Sequence, residues 1–313
     1  MDKKHKLIVD TDCGSDDAMA IAMALNDPNW EIMFFSTVCG NVNARQAAVN
    51  TLTTLEKTGS YEPPVYIGAE KPLLKEPVYA HETHGEDGMG DIGLVPERLR
   101  VSEGNGILKT LEAIRDGGDR EIEIIALGPL TNIALEMRIA PEVMKKVKRI
   151  SIMGSAGLGT GNVTPVAEFN IWQDAEAAKI VLDFGVPLMF VGWDACLDEA
   201  MLDPDDIEEI RNSGPLGRFA IDCNKVLMDM NVGRFGYPCL DMADPAAMAA
   251  AIHPECIDVC DEYYCEMDVT EGPGYGNLIV DKYRFSVKQP NAAICSRLKP
   301  AEYKNYIKAM LKS

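Results

Sequence analysis

Leu7-Ile8-Val9-Asp10-Thr11-Asp12-Cys13-Gly14-Ser15-Asp16-Asp17 decides how this chain is read. The apolar residues end a buried strand, a glycine-bearing turn follows, and acidic residues open a helix. Four aspartates within eight residues, Asp10 to Asp17, repel one another, and a surface loop rarely needs so many. A cation or a polyhydroxylated ligand held among them makes the arrangement reasonable. Asp10 and Asp12 are two apart, so in extended backbone both can face one way. Asp16 or Asp17 then returns to the same place from the first helical turn. Carboxylates with backbone carbonyls make a hard-oxygen set suited to Ca²⁺ or Mg²⁺. A helix N-terminus explains one of the acidic residues. It does not explain four.

Outward from this stretch, short apolar runs alternate with amphipathic ones. Residues 7–9, 32–38, 122–126, 150–153 and 186–191 read as strands, and 17–25, 44–56, 106–114, 132–137 and 174–182 as helices. This predicts an α/β fold, an open, mostly parallel Rossmann-like sheet with helices on both faces. Extra helices are expected at 207–211, 216–230 and 243–252, and a late hairpin from 260–269 and 278–285. The polar segment 71–96, rich in Gly and Pro, is expected to be a long functional loop. With no composition break or linker, residues 1–313 read as a single domain. The polar clusters Asp10–Asp17, Gly40-Asn41, Gly128–Asn132 and Gly154–Asn170 each follow a strand, where open parallel sheets bind ligands.

A net charge of −19 argues against DNA, RNA and anionic membranes as partners. It suits a small cation or a neutral, hydroxyl-rich substrate. The nine cysteines are irregularly spaced without a zinc pattern, and read as small buried hydrophobes in a reducing compartment. The apolar run before Asp10 is only Leu7-Ile8-Val9, too short for the core of a signal peptide, so a cytoplasmic location is expected.

Residues 10–18 resemble the DxDxGxDDA signature of the inosine–uridine-preferring nucleoside hydrolases. Further segments are similar to that family: Val38-Cys39-Gly40-Asn41, His84-Gly85-Glu86-Asp87-Gly88-Met89-Gly90, Leu127-Gly128-Pro129-Leu130-Thr131-Asn132-Ile133-Ala134, Asn162 through Asn170, and Asp244-Pro245. The resemblance implies Ca²⁺-dependent hydrolysis of the N-glycosidic bond of ribonucleosides to ribose and free base. It implies Ca²⁺ ligation by Asp10, Asp17, Asp244 and the Leu127 carbonyl, with Asp12 as the base that activates the metal-bound water. Asn41 and His84 would complete the catalytic centre. Asp16, Asn162, Glu168 and Asn170 would bind the ribose hydroxyls, with Asn41 and Met153 lining the pocket. A homodimer or homotetramer is implied in the same way.

The sequence departs from the family pattern at Ala243, where many members carry a histidine that helps protonate the departing base. Asp241, Tyr237 and His81 are candidate replacements, Asp241 because a helix extending back from Asp244 would give the two one face. Aromatic stacking by Phe169, Trp172, Phe235 or Tyr237 is another route. Two other readings are open. A nucleoside or ribose binder without turnover would suit Ala243, although a binder has no use for Asp12. A strand followed by Asp-x-Asp also opens phosphohydrolases of the haloacid-dehalogenase type, but the asparagine-rich segments have no purpose there.

Overall fold

The computed structural model describes residues 4–312. Ten strands are present among them: β1 (His5–Thr11), β2 (Trp30–Thr37), β3 (Val65–Ile67), β4 (Ile122–Ala126), β5 (Ile150–Met153), β6 (Leu188–Val191), β7 (Ile257–Tyr263), β8 (Cys265–Met267), β9 (Leu278–Val280) and β10 (Ala292–Leu298). Eight form one sheet in the order β3-β2-β1-β4-β5-β6-β10-β7. All neighbours run parallel except β10 and β7. Strand order reverses between β1 and β4, and the crevice beyond their carboxyl ends is where such sheets bind ligands. The reading of an α/β, mostly parallel sheet between helices is borne out.

Central strands are apolar because both faces are covered. From Leu7 onward β1 is wholly buried, and β4, β5 and β6 are buried throughout. One face carries the helix Ser15–Asn26, which buries every residue from Ser15 to Leu25. It packs on the alanine-rich helix Ala243–Ile252, itself buried from Asp244 onward. Small side chains let these two backbones approach closely. That contact joins the acidic turn after β1 to Asp244, 227 residues beyond Asp17 in the chain.

Three expectations need correction. The stretch 260–269 is not one hairpin arm: Cys260–Tyr263 belongs to β7 and pairs with β10 in the main sheet, and only β8 and β9 form the hairpin. The stretch 216–230 is two helices, Pro215–Asp222 and Lys225–Phe235, broken where the Asn224 side chain turns to the carbonyls of Ser15 and Ala220. The helix bearing Asp244 starts at Ala243, so Asp241 lies outside it, next to the bridge between Leu202 and Leu240. The strands β3 and β10 and the closing helix Pro300–Leu311 are further elements. No helix among the described residues is long and apolar enough to cross a membrane.

Candidate active site

A cavity of about 540 Å³ opens over the carboxyl ends of β1, β4 and β5. Beneath it five aspartates are brought together with almost no exposure: Asp10 1%, Asp12 0%, Asp16 7%, Asp17 0% and Asp244 2%. Asp10 ends a ladder position between Ser36 of β2 and Ala126 of β4. Its Oδ2 accepts from Asn132 Nδ2 at 2.7 Å. Asp12 Oδ2 accepts from the Asn41 backbone N–H at 2.6 Å. Asp17, three residues into the helix cap, accepts from Thr11 Oγ1, from the Gly14 N–H at 2.8 Å and from Asn41 Nδ2 at 3.3 Å. Two glycines make room for Asp12: a Cβ on Gly40 would fall 2.0 Å from its Oδ2, and one on Gly128 2.8 Å from its Oδ1.

These acids suffer from burial first and from one another second. Burial pushes Asp10 up to about 7 and Asp17 up to about 6. Asp12 and Asp244 rise well above the ordinary carboxylate range, again mainly through burial, with neighbouring aspartates adding repulsion. Asp16, Asp17 and Asp244 present oxygens within 4.8 Å of one another and could hold a metal ion. Asp17 and Asp244 hydrogen-bond to each other, a contact that lowers Asp17 and raises Asp244. Asp10 Oδ1 and Asp12 Oδ1 are buried without any partner. Orphaned buried oxygens are costly, and an all-oxygen set of this kind fits a hard divalent ion.

The wall beside β5 is polar in a different way. Glu168 caps the helix Phe169–Gln173, its oxygens accepting from the N–H groups of Asn170, Ile171 and Ser155. Burial nevertheless pushes its carboxyl up to about 7. Asn170 Nδ2 donates to the Leu127 carbonyl at 2.6 Å and lies 3.3 Å from that of Met153. Asn162 Oδ1 accepts from the Phe169 N–H. Asp16, Asn41, Leu127, Met153, Asn162, Glu168, Asn170 and Asp244 all line the cavity.

The segment 71–96 is a loop with one helical turn, His81–His84. Its start is tied down by Asp174, which accepts from the Leu73 N–H, and by Gln173, whose amide pairs with Val78. That anchoring delivers residues 78–84 to the cavity mouth. His84 is buried, with Nδ1 2.9 Å from Ser15 Oγ and 3.7 Å from Asp16 Oδ1. His81 also lines the cavity, stacked near Tyr79 and facing Glu86. Asp241 lines it too, whereas Tyr237 is 41% exposed and does not. Of the four aromatic candidates, only Phe169 lines it.

Sequence reasoning did not single out Trp193, Leu227, Met230 or Arg234, which also line the cavity. Trp193 follows β6, so the strand-end rule applied to one more strand points to it. Nothing local marks Arg234, since it reaches the site through the packing of the helix Lys225–Phe235. Eight of the nine cysteines are buried, Cys260 is partly exposed, and all are free thiols.

Residues 7–305 match the family model described as inosine-uridine preferring nucleoside hydrolase. The chain is 34% identical to the pyrimidine-specific ribonucleoside hydrolase RihB of Escherichia coli (strain SE11) over 294 residues, 93% of this chain and 92% of that one. Among solved structures, a plant nucleoside hydrolase, PpNRh1, matches with a TM-score of 0.92 at 27% identity, covering 99% of this chain and all of its own. A purine-preferring ribonucleoside hydrolase from Gardnerella vaginalis matches with a TM-score of 0.89 at 26% identity, covering 98% of both. This chain belongs to the inosine-uridine preferring nucleoside hydrolase family, and it is a nucleoside N-glycosyl hydrolase.

Proposed function

We propose that this protein hydrolyses ribonucleosides to ribose and free base in a Ca²⁺-dependent reaction. The observation that carries this reading is the buried group of five aspartates, two of them with an unpartnered oxygen, under a cavity edged by Glu168, Asn162 and Asn170. Asp10, Asp17, Asp244 and the Leu127 carbonyl would hold the ion. When bound, the ion offsets the repulsion between these carboxylates and acidifies a water in reach.

The chain's own residues supply the rest. Asp12 is held by the Asn41 N–H through one oxygen and keeps the other free, as a base that takes the proton of the attacking water must. Water oxygen bonds to C1′, the C1′–N bond breaks, and its electron pair leaves with the base. The carboxylates of Asp16 and Glu168 and the amide oxygens of Asn162 and Asn170 stabilise the oxocarbenium-like sugar and accept from its hydroxyls. Asn41 and His84 hold the floor and the mouth of the site. A site that hydrogen-bonds every ribose hydroxyl rejects deoxy analogues, whose absence of a partner strands buried polar groups.

The relatives differ in named preference, one pyrimidine-specific and one purine-preferring, and the base accepted is set by residues 75–84 and 224–237. A homodimer or homotetramer is the assembly we propose, supported by the exposed Tyr283, Phe285 and Val287 beyond β9. A cytoplasmic location is proposed with it.

The test is reducing-sugar release from a panel of ribonucleosides and their 2′-deoxy counterparts, with and without chelator. Chelator-sensitive release from ribosides alone supports the reading. No release from any riboside that still binds moves the protein to a binder without turnover.

A further inference from the structure

Arg234 is the only lysine or arginine among the described residues that line the cavity, which otherwise carries Asp16, Glu82, Glu168, Asp241 and Asp244. Its guanidinium centre stands 5.3 Å from the centre of the Trp193 ring, and Nη1 is 3.7 Å from Asp241 Oδ2. Asp241 is itself fixed: Asn231 Nδ2 donates to Oδ1 at 2.7 Å, and Trp193 Nε1 donates to Oδ2 at 3.2 Å. Asn231 and Arg234 are three apart on one helix and reach the same carboxylate from it. Both oxygens of Asp241 therefore already accept N–H groups. These contacts suit a carboxylate that orients Trp193 and Arg234. About a third of the Arg234 side chain, 33%, stays exposed, which leaves part of its five-donor fork for a ligand. Ala243 lines the same cavity with only a methyl group.

Resting on the hydrolase reading above, we infer that Arg234 stabilises the departing base as an anion, in place of a general acid, with Asp241 as its positioning residue. The C1′–N bond breaks with both electrons passing to the base. Water oxygen bonds to C1′ and its proton goes to Asp12. The base leaves as an anion paired with Arg234 and takes a proton from solvent afterwards. Arginine does not deprotonate in the working range, so its help is Coulombic and by hydrogen bond. A preorganised donor of that kind is worth on the order of 10²–10³-fold in kcat. Asp241→Asn keeps the shape but loosens the guanidinium, and loses less than removal of Arg234.

The test compares uridine with 4-nitrophenyl β-D-ribofuranoside, both with Ca²⁺, for the unaltered protein, Arg234→Met and Arg234→Lys. Arg234→Met is expected to lower kcat on uridine by about 10²-fold. On the nitrophenyl riboside, whose leaving anion is stable unaided, the loss stays below about threefold, and this turnover shows the variant to be folded. Arg234→Lys keeps the charge without the fork and falls between on uridine. Equal loss on both substrates, or a change in KM alone, overturns the proposal. Should Arg234→Met fail to fold, Arg234→Lys decides: kcat on uridine as low as a hundredth, with the nitrophenyl substrate equally affected, also overturns it. Inability of the unaltered protein to cleave either riboside would instead remove the hydrolase reading beneath it.

Discussion

At one end of the cavity, five aspartates lie buried beneath the ends of β1 and β4, with Asp10, Asp12 and Asp17 fixed by backbone or amide donors within hydrogen-bond reach. At the other, Trp193, Asn231, Arg234 and Asp241 meet from three separate parts of the chain, and Arg234 stays partly open to solvent. The acidic end is dry, crowded with one sign of charge, and tolerates almost no extra atom, since a single Cβ at Gly40 would strike Asp12. The arginine end is mixed in charge, and the Arg234 side chain there is about a third exposed. A sugar and a cation are the same in every riboside, whereas the base differs. Rigidity belongs where the ligand is constant, and adaptable side chains where it varies.

Breaking the acidic end should have the largest effect. Asp12→Asn removes the free carboxylate oxygen while keeping the shape, and kcat on any accepted riboside should fall by about 10²–10⁴-fold. The melting temperature should hold or rise, because a buried carboxylate with an orphaned oxygen has become neutral. Undiminished kcat in that variant would end its assignment as base.

A second prediction sharpens the contrast through pH. Asp10 at about 7, Asp17 at about 6 and Glu168 at about 7 all bind protons more tightly folded than at their ordinary values of 3.8, 3.8 and 4.5. Metal-free folded protein therefore holds more protons than the unfolded chain across that window. Its stability is fullest below about pH 4 on this account alone and falls as pH rises towards 7. Melting of chelated protein should drop by roughly 5 °C or more between about pH 5 and pH 8. Saturating Ca²⁺ should flatten the slope, because the ion holds the ionised forms. A slope unchanged by Ca²⁺ would count against ligation by these carboxylates.

The smallest effect is expected from a residue that supports the acidic end from outside. Tyr303 is wholly buried and its hydroxyl donates to the Met242 carbonyl, just before the helix that carries Asp244. Tyr303→Phe should cost about 1 kcal/mol in denaturant unfolding, with kcat changed by less than about twofold. A large loss of activity without loss of stability would mean that Tyr303 positions Asp244 more directly.

The same contrast governs what was legible in the sequence. Asp10, Asp12, Asp16 and Asp17 are close in the chain, so spacing and the strand-to-helix turn were enough to place them together. Gly40-Asn41, Gly128 to Asn132 and Gly154 to Asn170 each follow a strand, and the strand-end rule reached them, whereas the Leu127 carbonyl needed the family resemblance. Asp244 needed the family resemblance, because its partner helix is far away in sequence. Asn231 and Arg234 had no local mark at all. Their meeting with Asp241 depends on the break at Asn224, which only the packing against Ser15 and Ala220 reveals. The strand β10 was missed because Ala292-Ala293 dilutes its apolar pattern, although it joins β6 to β7. Its absence from the reading is what made 260–269 look like a hairpin arm.

The claim on which the account turns is that a hard divalent ion sits among these carboxylates. Calorimetric titration of Ca²⁺ into the metal-free protein at about pH 7, repeated in buffers of different ionisation enthalpy, tests it directly. The account predicts one strong site per chain, release of protons on binding, and loss of that site in Asp17→Asn. Absence of a stoichiometric site, or binding that Asp17→Asn leaves untouched, would contradict it.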